Sequence, residues 1–310
     1  MRRPPRIPAA KPVAAPALIL ALNPCIDVEW RVQDVLWEEK NNVVSERRWA
    51  GGKGVNVARW LKHLGGHPLL LAPLGGGTGA ELTTHLREEN LPARIIRLSQ
   101  PTRVNVVITT DGGKQLRFNP LGPRVSAKEW MGILRKTRTL LPKARLLILS
   151  GSLPRGLPKN AYALLTRLAH DFGVQTLLDC DGLAFAAAIK ARPFLVKPNE
   201  HELAQWWGRP LRTEGQLISA AHALSETTHG WVLVSRGPNP GFLVNATEGF
   251  QASALPPRVH ARNRLGAGDA LLAGAAHEIL QGSSPTKWLT AGLTTGSAAT
   301  KLPAGCLPST

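Results

Sequence analysis

The stretch RNRLGAGDALLAGAAH, residues 262–277, decides how the rest of the chain is interpreted. Gly266 and Gly268 stand just before an apolar run with helical spacing, and glycine lets a backbone turn sharply and approach a ligand. Free N–H groups at such a helix start, aided by the helix dipole, favour a phosphate or a developing negative charge. Asp269 stands on the first turn, where its carboxylate could take a proton from an attacking hydroxyl. Alternatively Asp269 only caps the helix, and this stretch alone does not decide.

A second glycine-rich helix entry, GGKGVNVAR, covers residues 51–59. It is not a P-loop, because Lys53 is followed by Gly54 and not by Ser or Thr. Exposed amides beside Lys53 and Asn56 suit a phosphate or a polyhydroxyl ligand. Taken alone, the segment fits a tight helix entry with a solvated lysine better.

Polar segments also follow three predicted strands, at the edge where open α/β sheets bind ligands. In KPNEHEL, residues 197–203, Asn199 and Glu202 face one side of a helical turn and could organise Mg²⁺ through water. The alternative is a helix start whose acids are favoured by the dipole. SGSLPRGLP, residues 150–158, either offers Arg155 to a phosphate or forms a simple turn. VSRGPNPG, residues 234–241, runs from a strand into a glycine-containing turn.

Apolar strand-like runs alternate with helical segments along the chain. The predicted strands are residues 18–23, 68–75, 144–152, 174–181, 193–199 and 230–237. Near-continuous apolar strands separated by helices predict a parallel sheet with helices on both faces. Two early segments, about 26–49 and 102–119, have period-two character and predict β hairpins. We expect them to supply the strands of a small sheet that projects from the core as a lid.

The composition limits the classes of partner. The 310 residues carry a net charge of +17, but the basic residues are scattered and not interleaved with aromatics, so we expect no nucleic-acid partner. A basic surface also suits a site that holds two anions. No apolar stretch is long enough to span a bilayer, so we expect no membrane partner. Three widely separated cysteines predict neither disulfides nor zinc and favour the cytoplasm. Residues 1–16 are predicted to be a disordered basic tail rich in Pro and Ala.

Together, and in this order, the motifs make the chain resemble the PfkB (ribokinase-like) family of carbohydrate kinases. Within that family it is most similar to the 1-phosphofructokinase and tagatose-6-phosphate kinase branch. The segments that carry the resemblance are LNPCID (22–27), AGGKGVNVAR (50–59), TRVNVVI (102–108), FNPLGPRVS (118–126), SGSLPRG (150–156), KPNEHEL (197–203) and NRLGAGDA (263–270).

The resemblance implies an α/β, ribokinase-like fold over residues 17–310: a Rossmann-like parallel sheet core with helices on both faces plus a small β-sheet lid. It implies ATP and Mg²⁺ as cofactors. It also implies transfer of a phosphoryl group from ATP to a hydroxyl of a ketohexose phosphate, which gives a bisphosphate.

The resemblance further assigns roles to residues of this chain. For the transfer itself they are the base Asp269 and the anion-hole residues Gly266, Ala267 and Gly268. On the substrate side they are Asp27, Gly52, Lys53, Asn56 and Arg103, of which Lys53 and Arg103 suit the phosphate that the sugar already bears. On the cofactor side they are Lys197, Asn199, Ser235 and Gly237, with Asn199 and Glu202 acting on magnesium through water.

Other functions stay open at this point. A kinase of an unphosphorylated sugar or nucleoside is disfavoured by Lys53 and Arg103, since buried cations without an anion are costly. A sugar-phosphate-binding regulator without turnover is disfavoured by the retained Asp269. The sequence does not separate fructose 1-phosphate, fructose 6-phosphate and tagatose 6-phosphate as substrates. Pairing of two lids would cover exposed strand edges, and on that ground we expect a homodimer.

Overall fold

The computed structural model describes residues 16–308, so residues 1–15 of the predicted tail lie outside the described residues. Within the described range the larger of two sheets has nine strands. In spatial order they are β13 (Phe250–Ala254), β12 (Gly241–Asn245), β11 (Trp231–Val234), β10 (Leu195–Val196), β9 (Gln175–Asp179), β8 (Leu146–Ser150), β1 (Ala17–Leu20), β4 (Pro68–Gly75) and β5 (Ala93–Leu98). The strands from β11 to β5 pair in parallel, and β12 and β13 add an antiparallel edge.

Helices cover both faces of this sheet. They are α1 (Lys53–His63), α2 (Gly76–Glu88), α3 (Ala127–Leu140), α4 (Ala161–Asp171), α5 (Gly182–Ala188), α6 (Glu200–Trp207), α7 (Glu214–Thr228), α8 (Ala267–Leu280) and α9 (Pro285–Thr300). Alternate residues of β1 point to opposite faces. Ile19 packs in a core with α1, α2, α8 and α9, whereas Leu18 and Leu20 pack in a second core with α3 to α7. Burial on both faces explains why this strand is apolar throughout.

The smaller sheet has the order β3 (Ser45–Gly51), β2 (Cys25–Val32), β6 (Arg103–Thr110) and β7 (Gln115–Phe118). Its strands come from the two segments with period-two character. They form a single sheet because β2 and β6 pair in parallel between two antiparallel pairs. On β2, Ile26 and Val28 point into the core, and the intervening Asp27 points to the other face. The predicted fold class is confirmed.

Some elements lie outside the sequence prediction. The strands β5, β12 and β13 and the short helix α5 were not among the predicted elements. Their apolar runs are brief, and β12 follows a turn with two prolines, which weakens the strand pattern. Across residues 16–308, none of the helices has both the length and the apolar composition that a bilayer span requires.

Candidate active site

The start of α8 presents unoccupied backbone amides to a cavity. Gly266 adopts a left-handed conformation with φ of 75°, which is strained for residues with a Cβ, and α8 then begins without a side-chain cap. The first intrahelical bond is donated by Ala270 to the carbonyl of Gly266. The amides of Ala267, Gly268 and Asp269 are therefore the helix-start donors that a phosphate can occupy.

Asp269 is buried on the first turn of α8, with 6% of its surface exposed. Its Oδ2 accepts a hydrogen bond of 2.8 Å from Nδ2 of Asn56 on α1. Burial and the negative charge of Asp179 raise the pKa of Asp269 to about 7, against the opposing effects of Lys53, Asn56 and Lys197. A carboxyl group that titrates near neutral pH is suited to accept and release a proton.

Asp179 ends β9 and joins two lysines beside Asp269. Its Oδ1 accepts a hydrogen bond of 3.1 Å from Nζ of Lys53, and its Oδ2 lies 3.5 Å from Nζ of Lys197. Burial opposes the charge of Asp179, but the two lysines outweigh it and hold its pKa below the usual value. Burial also opposes the charge of Lys53, but Asp179, Asp269 and Glu202 outweigh it. The pKa of Lys53 therefore lies above its usual value. Lys53 thus remains charged in a carboxylate-rich pocket.

The start of α6 lies on the same cavity but is capped. Oδ1 of Asn199 accepts bonds of 2.9 Å from the amides of His201 and Glu202, and Oε2 of Glu202 accepts one of 2.8 Å from the amide of Asn199. This is a capping box, and it shows that the segment is a helix start, as the alternative interpretation held. The other oxygen of Glu202, Oε1, lies 4.0 Å from Nζ of Lys53. No cluster of three metal-ligating side chains is found in residues 16–308.

The smaller sheet contributes Asp27 and a glycine that makes room for it. Oδ1 of Asp27 accepts hydrogen bonds from Asn105, at 2.9 Å, and from the thiol of Cys25, at 3.2 Å. Gly51 on β3 lies opposite Cys25, and a Cβ there would lie 2.1 Å from Oδ2 of Asp27, so only glycine fits. Burial raises the pKa of Asp27, against the hydrogen bonds of Cys25 and Asn105. Both hydrogen bonds go to Oδ1, so Oδ2 of Asp27 accepts none from Cys25 or Asn105.

Arg103 starts β6, the strand that pairs with β2, and lies opposite Cys25. Its guanidinium donates twice to the carbonyl of Asn23, at 2.9 and 3.2 Å, and once to that of Pro120, at 2.9 Å. These carbonyls fix the guanidinium but do not neutralise its charge. In the described residues its hydrogen bonds all go to backbone oxygens, which leaves Arg103 suited to an anion.

The remaining cofactor-side residues lie where β11 runs into the 235–241 turn. Ser235 accepts a bond from the amide of Glu200 and donates its own amide to the carbonyl of Pro198, at 3.1 and 3.2 Å. These bonds fasten the turn to the start of α6. Gly237 has φ of 57°, and no atom lies within 4 Å of the position of a Cβ there.

One cavity of about 1240 Å³ joins these parts. The sequence-predicted residues that line it are Asp27, Gly52, Lys53, Asn56, Arg103, Lys197, Asn199, Glu202, Ser235, Gly237, Gly266, Ala267, Gly268 and Asp269. The sequence analysis did not select Asp179 or Asn105, which also line it. A signal for Asp179 existed, since it ends a predicted strand at the ligand-binding edge of the sheet. Asn105 stands inside a quoted segment, but only the pairing of β6 with β2 sets it beside Asp27.

Comparisons with known proteins point in one direction. The model of the pfkB family carbohydrate kinases matches residues 20–309. A 1-phosphofructokinase from Xanthomonas campestris pv. campestris is 34% identical over 269 residues, which cover 85% of this chain and 84% of that protein. The crystal structure of phosphofructokinase-2 from Escherichia coli in complex with fructose-6-phosphate is 29% identical, with a TM-score of 0.87 over 92% of this chain and 93% of that one. Ribokinase from Arabidopsis thaliana, complexed with ribose and ATP, shares the fold at 20% identity, with a TM-score of 0.76 over 93% of this chain and 94% of that one.

These findings confirm the resemblance, the ribokinase-like fold and the prediction of a phosphotransferase. The family match extends over nearly the whole chain, and the Xanthomonas protein is similar over most of its own length. The chain therefore belongs to the PfkB family of carbohydrate kinases.

Proposed function

We propose that this chain transfers the γ-phosphoryl group of ATP to a hydroxyl of a ketohexose phosphate, with Asp269 as the base. The observation that carries the proposal is that Asp269 meets the uncapped start of α8 in a cavity that Lys53, Lys197 and Arg103 also line. Because the pKa of Asp269 is raised to about 7, a large fraction of the carboxyl is ionised and basic near neutral pH.

In the proposed step the sugar hydroxyl oxygen attacks the γ-phosphorus, and the bond from that phosphorus to the β–γ bridging oxygen breaks. ADP leaves, and the hydroxyl proton passes to Asp269. The amides of Ala267 and Gly268, which follow the turn at Gly266, face the charge that accumulates on the transferred group. The protein thus supplies position, a base and charge stabilisation, which is most of what phosphoryl transfer requires.

The cations divide between the two phosphorylated ligands. Lys53 and Lys197 already contact Asp179 close to Asp269, so we assign them to the phosphates of the donor. Arg103, which has only backbone acceptors, is assigned to the phosphate that the sugar already bears. From the sequence we expected Lys53 and Arg103 together to bind the phosphate of the sugar; here only Arg103 keeps that role.

The sugar itself would lie between the smaller sheet and α8. Asp27 would accept its hydroxyls through the unbonded Oδ2, next to Asn56 at the start of α1. Gly52, with φ of 96° and a Cβ position 3.1 Å from Cα of Pro24, lets the chain enter α1 at this point. Since Asp27 and Arg103 belong to β2 and β6, movement of the smaller sheet would close the site and exclude water, as expected of a lid.

ATP would occupy the end of the cavity that Ser235 and Gly237 line, with its phosphates directed to α8. The residues present fit a Mg²⁺ that is held mainly by phosphate oxygens and water, because Asn199 is used as a cap and one oxygen of Glu202 remains. Bound there, the ion would neutralise charge on the phosphates. Nζ of Lys197 lies at the start of α8, 3.4 Å from where a Cβ on Gly268 would stand.

We further propose a homodimer through the smaller sheet. Its β2–β3 loop exposes large apolar side chains, among them Leu36, Trp37 and Val44, and Trp37 is 77% exposed. A cluster of this kind commonly marks a protein–protein contact. Sedimentation of the wild type and of Trp37→Ser would test it: a shift toward monomer is expected only in the variant.

We also propose that the chain acts in the cytoplasm, where ATP and reduced thiols coexist.

Two other functions can be distinguished from this one: a kinase of an unphosphorylated sugar or nucleoside, and a sugar-phosphate-binding regulator without turnover. The named relatives, a 1-phosphofructokinase and a phosphofructokinase solved with fructose-6-phosphate, support a phosphorylated substrate. Arg103 supports it too, because a neutral sugar or nucleoside would leave that guanidinium without an anion. Asp269 supports turnover over a purely regulatory role, since a binding protein has no need of a carboxyl group poised near neutrality.

The test is ADP release over a panel of fructose 1-phosphate, fructose 6-phosphate and tagatose 6-phosphate, with fructose and ribose as unphosphorylated controls. One phosphorylated sugar should turn over far faster than both controls. Asp269→Asn should lower kcat by about 10²–10⁴-fold while ATP and the sugar phosphate still bind. Near-normal turnover in that variant, or a preference for the unphosphorylated sugars, would reject the proposal.

A further inference from the structure

A buried hydrogen-bonded chain leads from the end of α2 to Asp269. Arg59 on α1 is 5% exposed and forms two bonds of 2.7 Å with the carboxylate of Glu89, the residue that follows α2. Through Nη1 it donates to Oδ1 of Asn56 at 3.0 Å, and Nδ2 of Asn56 donates to Asp269. The ion pair of Arg59 with Glu89 is thus linked to Asp269 through the carboxamide of Asn56 alone.

The chemistry of these groups fixes the direction of the chain. Arginine only donates hydrogen bonds, so the oxygen of the Asn56 carboxamide must face Arg59. The amide nitrogen must then face Asp269, and it can only donate there. Without Arg59 the carboxamide could rotate by half a turn once Asp269 is protonated. Its oxygen would then accept a hydrogen bond from the carboxyl group and favour the acid form, which cannot act as a base.

We propose that Arg59, held by Glu89, is a positioning residue for phosphoryl transfer: it locks Asn56 in the orientation that donates to Oδ2 of Asp269. With that oxygen occupied, Oδ1 of Asp269 is the one left for the substrate hydroxyl. This inference rests on the proposed function, because it concerns the base of that reaction.

Arg59 borders the cavity, but its donors are directed at protein atoms, so we assign it a role through Asn56 and not on the substrate. Besides Glu89 and Asn56 it donates to the carbonyl of Ala50 at 2.7 Å. Four of its five N–H groups are therefore engaged, and almost no part of the side chain reaches the surface. A residue with its donors spent in this way has little left to offer a ligand.

The arrangement has a titration signature. A hydrogen bond to the ionised carboxylate favours ionisation, so the Asn56 bond lowers the pKa of Asp269. The titratable groups that also face Asp269 are Lys53 from α1, Asp179 from β9, Lys197 after β10 and the thiol of Cys25 from β2. None of them changes when Arg59 is replaced. Loss of the lock should therefore move the acid limb of the pH profile to higher pH.

The first variant is Arg59→Gln, measured by kcat, by the KM for ATP and by the pH dependence of kcat/KM. We expect kcat to fall by about 10–100-fold, an unchanged KM for ATP, and an acid limb at higher pH. In an Asn56→Ala background, Arg59→Gln should add no further loss of kcat, because the residue through which it acts is absent.

Two matched Glu→Gln variants, one on α2 and one just after it, separate positioning of Asn56 from a purely structural role. Glu89→Gln weakens the hold on Arg59, whereas Glu81→Gln weakens a similar two-bond pair with Arg48, which has no link to Asp269. We expect Glu89→Gln to lower kcat several-fold and to move the acid limb as Arg59→Gln does, and Glu81→Gln to do neither. If Arg59→Gln does not fold, Glu89→Gln carries the test.

The inference is overturned if Glu89→Gln and any folded Arg59→Gln protein lose thermal stability but keep the wild-type kcat and acid limb. It is also overturned if the losses from Arg59→Gln and Asn56→Ala are additive. A wild-type chain that is inactive on every sugar of the panel would instead reject the proposed function, so the two failures are distinguishable.

Discussion

The helices α6 and α8 both begin at the same cavity with an acid on the first turn, yet they treat their free amides differently. At α6, Asn199 and Glu202 satisfy each other's backbone in a capping box. At α8, Gly266 provides no side chain, and Asp269 turns away to Asn56. The comparison teaches that a helix start becomes an anion site when its own side chains leave the amides unused.

The largest effect is expected from a substitution in the turn before α8. Gly266→Ala would strain a left-handed residue by about 1–2 kcal/mol. It would also set a methyl group 3.6 Å from Nδ2 of Asn56 and 3.9 Å from Oδ2 of Asp269. We expect kcat to fall by about 100-fold, because the amides no longer align with the transferred group.

Gly282→Ala is the matched control for that variant, to be measured beside it by kcat and thermal melting. Gly282 lies just beyond the other end of α8 with φ of 73°, and no atom lies within 4 Å of a Cβ there. The two variants should lose similar stability, but Gly282→Ala should keep its kcat. Equal loss of kcat in both would mean that strain, and not the anion site, explains the effect.

A smaller effect is expected at the capped helix. Asn199→Ala removes the acceptor for two amides of α6 and should lower the free energy of unfolding by about 1 kcal/mol, as measured by denaturant titration. Thr213→Ala, which uncaps α7 away from the cavity, should lower it by a similar amount. A loss of kcat in Asn199→Ala as large as that in Gly266→Ala would contradict the distinction between the two helix starts.

Glu202→Gln should have the smallest effect on stability, and it tests whether Glu202 serves Mg²⁺ as well as the start of α6. Glutamine can also complete a capping box, so the helix start should survive. The variant removes the negative charge that lies 4.0 Å from Nζ of Lys53 and is the remaining carboxylate for Mg²⁺. We expect an unchanged unfolding midpoint and a higher Mg²⁺ requirement in ADP release; an unchanged Mg²⁺ requirement would remove Glu202 from the metal role.

The fold was predictable because most strands of the larger sheet have a recognisable apolar pattern. Segments such as 18–23 and 144–152 are apolar on both faces, as only a covered parallel sheet requires. The weak points were short elements such as β12, where sheet pairing overrides a modest local pattern. The parallel pairing of β2 with β6 joins strands far apart in sequence, and no local pattern encodes it.

From local pattern the candidate site was predictable where a helix start or a strand end carried several signals at once, whereas Asp27 and Arg103 on the smaller sheet were predicted from the family resemblance. Gly266 to Asp269 had glycines, a helix and an acid together. Asp179 had no such signals, and Arg59 ended a quoted motif without a role; their roles follow from Lys53, Asp269 and Glu89, which are distant along the chain. The sequence also could not distinguish a capped helix start from an open one, because Glu202 and Asp269 occupy similar positions within their motifs.

The most direct test of the central claim is the pH dependence of kcat/KM for the sugar phosphate, in the wild type and in Asp179→Asn. The wild type should lose activity as pH falls through about 7, because protonated Asp269 cannot accept the hydroxyl proton. Asp179→Asn removes a negative charge that raises the pKa of Asp269, so its acid limb should lie at lower pH. The substrate's own phosphate titrates identically in both proteins. An acid limb at the same pH in the two, or none between pH 5 and 9, would contradict the assignment of Asp269 as the base.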